Sequence, residues 1–309
     1  MPSLGKPLVV ILGATAVGKT PLAISLAEAL NGEVVSADSR QIYAQMNIGT
    51  AKPSAAEQAR IRHHLLDVVQ PDQTLPMAAY LQMAYAAINQ LHNDGKLPFL
   101  VGGTGQYITA LLEGWSVPEV PPDEDYRTEL EQFAKQAGTE ALYARLTTAD
   151  PDAAEKIHPN NVRRVIRALE VLKQTGIRFS ELQRKTPPPY RVYTIGLDLD
   201  REALYARADQ RIDHMITAGF VDEVQGLLNQ GYTTKLPSMS GIGYLQLAAY
   251  LAGKSSLKQA VSDTKHLTHD FIRRQITWFR GHDHAILWHN SAALHMPSLL
   301  EDLHRWLAG

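Results

Sequence analysis

Two groups of residues near the start of the chain have the chemistry of a phosphate-binding enzyme. The segment 13–20 matches G-x-x-x-x-G-K-[ST], in which backbone N–H groups surround an anion, Lys19 adds a positive charge and the Thr20 hydroxyl can bind Mg²⁺. Asp38 follows a short apolar run and could hold a metal ion through water or act as a general base. The residues of this P-loop are Gly13, Ala14, Thr15, Ala16, Val17, Gly18, Lys19 and Thr20.

Apolar runs predict the strands that must position these groups. Residues 8–12, 33–38 and 98–101 read as strands, with helical spacing of apolar residues over 21–30 and 80–91 between them. Strands separated by helices form a parallel sheet, which gathers ligands at the carboxyl ends of its strands. We therefore expect the P-loop, Asp38 and Thr104, which follows the third run, to lie at one edge of an α/β sheet.

Proline clusters predict the domain boundaries. They lie at 117–122 and 186–190, and between them the sequence reads as entirely helical. A further core strand over 193–198 precedes helices at 201–216, 221–229, 244–251 and 270–280. We predict a P-loop NTPase-like parallel sheet flanked by helices, built from residues 1–117 and 188–309, with an all-helical insertion domain over 118–187.

Composition excludes several kinds of chemistry. The 309 residues include no cysteine, so disulfides, thiolate zinc sites and a cysteine nucleophile are excluded, and a hard ion such as Mg²⁺ fits the oxygen groups that remain. No stretch reaches the ~18 apolar residues that span a bilayer, and the first residues carry no apolar leader. We expect a cytoplasmic protein that does not bind membranes.

The formal net charge of −2 hides an asymmetry along the chain. Residues 119–155 carry ten acidic and three basic side chains, whereas 158–191 carry eight basic and two acidic ones. Arg163 and Arg167 lie one helical turn apart, with Val165 on the apolar side of the same predicted helix. This basic face is either simply solvated or a surface for an anionic polymer such as a folded RNA.

Pro21 bears on which phosphate compound the P-loop holds. Proline is tolerated in the first helical turn, but it removes an N–H donor that could reach a third phosphate. A ligand with two phosphates would lose fewer hydrogen bonds than one with three. The neighbours of Asp38, which are Ser39, Arg40 and Gln41, have donors and acceptors suited to a base or a phosphate.

The ordered series of motifs along almost the whole chain resembles the bacterial tRNA dimethylallyltransferase family, also called IPP transferases. The segments that carry the resemblance are 13–20, 36–43, 47–53, 102–107, 158–170 and 274–280. The resemblance implies transfer of a dimethylallyl group from dimethylallyl diphosphate to N6 of the adenosine 3′ of the anticodon, position 37. Asp38 would accept the N6 proton, while Lys19, Thr20 with Mg²⁺, and Arg211 would stabilise the departing diphosphate.

The resemblance also implies a partner, the anticodon stem-loop of tRNA, bound by a monomeric enzyme. It assigns tRNA contacts to four parts of the chain. These are Asp38, Ser39, Arg40 and Gln41; Thr104; Arg127 with Arg163, Arg164, Val165, Ile166 and Arg167; and Ser240, Gly241, Ile242, Gly243, Tyr244 and Leu245.

Three alternatives remain open on the sequence. An adenylate isopentenyltransferase performs the same chemistry on a free nucleotide, although the long helical insertion with its basic face favours an RNA acceptor. In a small-molecule P-loop kinase, Asp38 would serve phosphoryl transfer instead. A non-catalytic RNA-binding protein is disfavoured by the intact Lys19, Thr20 and Asp38.

Overall fold

The computed structural model describes residues 5–182, 184–282 and 285–309, so the first four residues of the predicted core lie outside it. Within those ranges the chain forms a six-stranded sheet in the order β3-β2-β4-β1-β5-β6, with every neighbouring pair parallel. The α/β class and the parallel sheet flanked by helices are thereby confirmed. The strands are β1 Lys6–Gly13, β2 Gly32–Ser36, β3 His63–His64, β4 Leu97–Gly102, β5 Tyr190–Asp198 and β6 Leu287–Asn290.

Central position in the sheet explains the unbroken apolar run of β1. Its neighbours are β4 and β5, with Val9 opposite Phe99 on one side and Tyr193 on the other. Both faces of β1 are covered, and Leu8 to Leu12 are fully buried. The strand therefore delivers the P-loop from the middle of the sheet, at its carboxyl edge.

Helices follow the strands and enclose the core of the first of two compact units, which comprises Met1–Leu111 and Pro189–Gly309. The first, α1, packs Leu22, Ala23 and Leu26 into the main apolar cluster of the sheet. The helices before the insertion are α1 Lys19–Ala29, α2 Ala55–Arg60, α3 Met77–Asn93 and α4 Gly105–Glu113. Those after it are α10 Arg201–Thr217, α11 Phe220–Asn229, α12 Tyr244–Leu251, α13 Leu257–Gly281 and α14 Met296–Ala308.

The second compact unit is Leu112–Pro188 and consists of helices. They are α5 Glu124–Ala137, α6 Thr139–Ala149, α7 Pro151–Lys156, α8 Val162–Thr175 and α9 Phe179–Leu182. The unit has its own apolar cluster, to which α5, α6 and α8 contribute Leu130, Leu142 and Val165. We refer to it as the helical unit.

Several elements differ from the sequence prediction, which did not include β3, α2, α4 or α14. Helix α13 begins at Leu257 rather than near residue 270, because its buried face there includes Thr264 and Thr268, which break the apolar pattern. Each threonine hydroxyl donates to the carbonyl oxygen four residues earlier, so both are satisfied inside the helix. Strand β6 was not predicted, because it is short and only partly buried. None of the helices in the described residues is long and apolar enough to cross a membrane.

Candidate active site

The P-loop has the backbone of an anion-binding loop. Gly18, at the N-cap of α1, has a φ of 104°, and Ala16 has a φ of 65°, so both lie in the left-handed region. Left-handed residues turn successive N–H groups towards one point, and the N-terminus of α1 adds the positive end of its dipole. Ala16 pays for this conformation with backbone strain, a feature typical of functional loops. The loop is shaped to receive negatively charged oxygens.

The side chain of Lys19 reaches back into this loop. Its Nζ donates to the carbonyl oxygens of Gly13 (3.0 Å) and Ala14 (2.9 Å). Burial lowers the pKa of Lys19 from 10.5 to about 8; the carboxylate of Asp38 opposes this shift and the cation of Arg211 adds to it. The ammonium therefore has little water around it and gains most from an anionic ligand.

Arg211 reaches the loop from α10. Its Nη2 donates to the hydroxyl of Thr15 at 2.6 Å, while its Nε is buried and has no hydrogen-bond partner in the described part of the chain. Burial lowers the pKa of Arg211, and Asp38 opposes that effect. A buried guanidinium N–H without an acceptor is costly, and an anionic ligand beside Thr15 would satisfy it.

A glutamine that the sequence analysis did not single out holds the loop from the other side. Gln275 on α13 accepts a hydrogen bond from the backbone N–H of Thr15 (2.9 Å) and donates to the carbonyl oxygen of Gly103 (2.8 Å). It thus joins the loop after β1 to the loop after β4. Gln275 lies within one of the motifs of the family resemblance, which was the only sequence signal for it.

Asp38 lies just beyond the carboxyl end of β2, where it forms a tight turn. Its Oδ1 accepts hydrogen bonds from the backbone N–H groups of Arg40 (2.8 Å) and Gln41 (3.3 Å), whereas its Oδ2 accepts none from the described residues. The hydroxyl of Thr104 accepts from the backbone N–H of Ser39 at 2.9 Å, which ties this turn to the loop after β4. One carboxylate oxygen is therefore fixed by the turn, and the other is available.

The P-loop and Asp38 line one cavity of about 280 Å³ at the edge of the sheet. Its polar wall includes Lys19, Thr20 and Arg211, and its apolar lining includes Ala23, Val34 and Val101. We call it the donor cavity. The remaining lining residues are Thr15, Ala16, Gly18, Pro21, Ser36, Asp38, Gln41, Thr50, Ala51, Lys52, Pro53, Glu57, His63 and Gly102. No motif in the sequence indicated a role for Glu57.

The turn residues after Asp38 make contacts within the protein. The side-chain amide of Gln41 donates to the carbonyl oxygens of Thr50 (3.3 Å) and Ala51 (3.0 Å), and Arg40 donates to that of Pro237 (3.0 Å). Gln41 thus holds a neighbouring loop, a role that its sequence position did not indicate.

The segment from Ser240 to Leu245 includes both exposed and buried residues. Ser240 and Leu245 are exposed and Ile242 is partly exposed, whereas Gly241 and Gly243 are buried. Tyr244 is 1% exposed and packs against Phe220. The ring of Tyr244 belongs to an apolar cluster, and the tRNA contact predicted for this residue stays a prediction.

The arginines of the helical unit fall into two groups, exposed and ion-paired. Arg163 and Arg164 are exposed, and their side chains have no ion-pair partner among the described residues. Arg127 and Arg167 both pair with Glu170, whose side chain is fully buried; Arg127 Nε lies 2.8 Å from Glu170 Oε1 and Arg167 Nη1 lies 2.5 Å from Oε2. These two arginines are therefore committed, at least in part, to a structural role.

Two apolar residues of the same helix are buried. Val165 is fully buried and Ile166 is 4% exposed, and both belong to the apolar cluster of the helical unit. Both side chains lie on the inner side of α8, and the tRNA contacts predicted for these two residues stay predictions.

The affinity of the free protein for inorganic diphosphate is expected to depend on the titration of Lys19. Below pH about 8 Lys19 is charged and supports binding, and above that pH it loses its proton and the support with it. Calorimetry between about pH 6.5 and 9.5 measures the affinity of the wild type and of Lys19→Met, and we expect the ratio of the two affinities to fall as pH rises. The midpoint of this fall should lie near pH 8, or above it where the bound ligand stabilises the ammonium. The ratio cancels the titration of diphosphate itself, and a constant ratio would contradict this assignment.

The family model described as IPP transferase matches residues 41–282 of the chain. The chain belongs to the IPP transferase family. It is accordingly a transferase, and the resemblance found in the sequence is confirmed.

Individual relatives of this IPP transferase agree along most of its length. It is 55% identical over 274 residues, 89% of this chain and 90% of the relative, to a tRNA dimethylallyltransferase of Roseiflexus castenholzii. A second tRNA dimethylallyltransferase, from Dehalococcoides mccartyi, is 51% identical over 282 residues, 91% of this chain and 87% of the relative.

Solved structures give the same result. The crystal structure of a tRNA isopentenylpyrophosphate transferase from Bacillus halodurans superposes with a TM-score of 0.72 at 40% identity, covering 98% of this chain and 96% of that one. A eukaryotic dimethylallyltransferase acting on tRNA superposes with a TM-score of 0.78 at 27% identity, covering 97% of this chain and 77% of that one. The P-loop NTPase-like fold predicted from the sequence is confirmed by this similarity.

Proposed function

We propose that this protein transfers a dimethylallyl group from dimethylallyl diphosphate to N6 of the adenosine at position 37 of tRNA, 3′ of the anticodon. The observation that carries the proposal is the donor cavity, in which an anion cradle and the carboxylate of Asp38 line the same space. The relatives described above, which are named as tRNA dimethylallyltransferases, support the choice of donor and acceptor.

The acceptor side of the reaction depends on Asp38. An anticodon-loop base must leave its stack to enter a protein site, as in other base-modifying enzymes. N6 of the adenosine attacks C1 of the dimethylallyl group as the bond from C1 to the diphosphate oxygen breaks, and one N6 proton passes to Asp38. The Oδ2 of Asp38, which accepts no hydrogen bond from the described residues, is the oxygen suited to that proton.

The leaving-group side depends on the P-loop. Negative charge grows on the diphosphate as it departs, and fixed donors aimed at that charge lower the barrier. Lys19 contributes an ammonium shielded from water, and Arg211 an Nε–H that has no partner among the described residues. The loop contributes backbone N–H groups around its left-handed residues Ala16 and Gly18. The same groups hold dimethylallyl diphosphate before the reaction.

The cavity fits Mg²⁺ as a cofactor that is held partly by the substrate. Mg²⁺ commonly takes one or two protein oxygens and completes its octahedron with phosphate oxygens and water. The hydroxyl of Thr20 is such an oxygen, and Asp38 lies in the same cavity; among the described residues no group of three acidic or imidazole side chains forms a separate metal site. When bound there, Mg²⁺ neutralises charge on the diphosphate.

The helical unit is proposed to bind the tRNA stem-loop, together with the exposed part of the segment 240–245. Arg163 and Arg164 supply exposed cations for phosphate contacts. The proposal takes the protein as a cytoplasmic monomer.

Replacing both Arg163 and Arg164 by Ala is expected to weaken tRNA binding and to reduce its salt dependence. For each phosphate contact that is lost, tRNA binding releases about one counterion fewer. The slope of log affinity against log salt concentration should therefore decrease in magnitude by about 1 to 2. Filter binding at several salt concentrations measures it. Arg167→Ala provides the contrast, because it leaves the buried Glu170 with fewer donors and should lower stability by about 1–3 kcal/mol. Equal salt slopes for the wild type and the double variant would exclude these contacts.

One assay separates the proposed reaction from its alternatives. The purified protein is incubated with Mg²⁺ and either dimethylallyl diphosphate or ATP, and either unmodified tRNA or adenosine monophosphate as acceptor. We expect a modified adenosine only with dimethylallyl diphosphate and tRNA, detected by mass spectrometry of the digested tRNA. Modification of the free nucleotide would indicate an adenylate isopentenyltransferase, and consumption of ATP with phosphorylation of an acceptor would indicate a kinase.

A further inference from the structure

One wall of the donor cavity is a loop without regular secondary structure. Residues 46–53 run from the end of the Asp38 turn to the start of α2, and Thr50, Ala51, Lys52 and Pro53 line the cavity. We call these residues the cavity-wall loop. Such a loop has a defined shape only where other parts of the protein hold its backbone.

The first part of the loop is held by one carboxylate from a helix that is distant in the sequence. Glu223 on α11 accepts hydrogen bonds from the backbone N–H groups of Asn47 (2.8 Å), Ile48 (2.7 Å) and Gly49 (3.1 Å). Its Oε1 also accepts from the hydroxyl of Tyr244 at 2.7 Å. Burial and the adjacent carboxylate raise the pKa of Tyr244 above its ordinary value, so the phenol keeps its proton and donates.

Gly49 allows the loop to lie directly on α11. A Cβ at this position would come within 2.2 Å of the ring of Phe220 and 2.7 Å of that of Tyr244. No side chain fits there, so the backbone N–H of Gly49 can reach Glu223 only because residue 49 is glycine. The close approach of Gly49 to α11 and the hydrogen bonds to Glu223 therefore hold the same part of the loop, residues 47–49.

The later part of the loop is fixed by its own contacts. Gln41 holds the carbonyl oxygens of Thr50 and Ala51, and Lys52 donates to the carbonyl oxygen of Tyr43 (2.8 Å) and to the side chain of Asn47 (2.9 Å). Glu223 itself does not line the donor cavity. Its influence on the cavity is exerted through the backbone of residues 47–49, which lead directly into the lining residues.

We infer that Glu223 is a positioning residue: it holds the cavity-wall loop in the position in which this wall of the donor cavity contacts the dimethylallyl group. The inference rests on the proposed function, since it assigns the prenyl part of the donor to this cavity. The P-loop, which holds the diphosphate, is built from other contacts, those of Lys19, Arg211 and Gln275. Loosening the cavity-wall loop should therefore affect the prenyl group and leave the diphosphate cradle unchanged.

The test compares two ligands in the absence of tRNA. Glu223→Gln replaces one acceptor oxygen by an NH₂ group that opposes the backbone N–H groups. We expect the dissociation constant of dimethylallyl diphosphate, measured by calorimetry with Mg²⁺, to rise about tenfold. The dissociation constant of inorganic diphosphate should stay within about twofold, since this ligand has no prenyl group. In the transfer assay the KM for the donor should rise more than kcat falls.

Two further variants complete the experiment. Asp222→Asn removes the same charge from the neighbouring position of α11, where the side chain is exposed, and should change neither constant. Gly49→Ala forces the loop away from Phe220 without altering the carboxylate, and it should reproduce the selective loss of dimethylallyl diphosphate. It also carries the test if Glu223→Gln does not fold.

The outcomes separate the inference from the proposed function. Equal weakening of both ligands, or no change in either, in Glu223→Gln and Gly49→Ala would overturn the positioning role. A wild-type protein that binds dimethylallyl diphosphate no better than inorganic diphosphate and modifies no tRNA would overturn the proposed function itself.

Discussion

Asp38→Asn is expected to lower the rate of prenyl transfer by about 10²- to 10⁴-fold and to leave tRNA affinity unchanged. The amide oxygen of Asn can still accept from the backbone N–H groups of Arg40 and Gln41, so the turn is preserved. An amide cannot take up the proton that leaves N6. Single-turnover transfer to unmodified tRNA measures the rate, and filter binding measures the affinity.

The control for this variant is Asp94→Asn, the same chemical change at an exposed position. It should have wild-type activity. A rate for Asp38→Asn within about tenfold of the wild type would remove Asp38 as the general base. The variant makes a second check available, because Asp38 raises the pKa of Lys19. In Asp38→Asn the midpoint for diphosphate binding should therefore move below the wild-type value.

Lys19→Met is expected to lower kcat for prenyl transfer by about 10²- to 10³-fold and to weaken binding of inorganic diphosphate. Met is similar in length and apolar, so it occupies the space of the lysine stem without the charge. The loop N–H groups, Thr20 and Arg211 remain, which accounts for residual activity. Steady-state kinetics with tRNA in excess, together with calorimetry, measure both effects.

The stability of this variant distinguishes a functional from a structural role. Because the pKa of Lys19 is depressed, the unfolded chain binds its proton more tightly, and keeping the ammonium charged in the folded protein costs free energy below pH about 8. That cost begins to fall as pH rises above about 8 and is gone only above 10.5, the ordinary pKa of lysine in the unfolded chain. Lys19→Met should therefore have a melting temperature equal to or above that of the wild type, a trade-off common at active sites.

Lys6→Met is the matched control, since Lys6 is exposed at the opposite end of the same strand. It should change neither kcat nor diphosphate binding. Full activity of Lys19→Met would show that the leaving group depends on other donors.

Much of the site could be predicted because its signals are local. The P-loop pattern and the apolar run before it are contiguous, and the parallel-sheet rule places Asp38 and Thr104 near the same edge. The contacts that complete the site join distant segments: Glu223 is separated from Asn47 by 176 positions and Gln275 from Thr15 by 260. No local spacing reveals such pairs.

The burial of several residues within the segments predicted to contact tRNA has a related cause. The contacts carried over from the family were contiguous segments, and a contiguous helical segment always has an inner side. Val165 and Ile166 on α8 lie on that side, and Tyr244 at the start of α12 is buried against Phe220. Glu170 was not predicted as the partner of Arg127 and Arg167, because burial of a charge within a helix depends on packing with its neighbours.

The hydrogen bonds from Lys19 to Gly13 and Ala14 have a consequence for selectivity. In the free protein the carbonyl oxygens of Gly13 and Ala14 accept hydrogen bonds from the Lys19 ammonium, and any incoming diphosphate must compete with them for it. That competition costs the same free energy for every diphosphate, whatever is attached to it. The cradle therefore does not discriminate among diphosphates, and under the proposed function the choice of a five-carbon chain would rest on the walls formed by Ala23, Val34, Val101 and the cavity-wall loop.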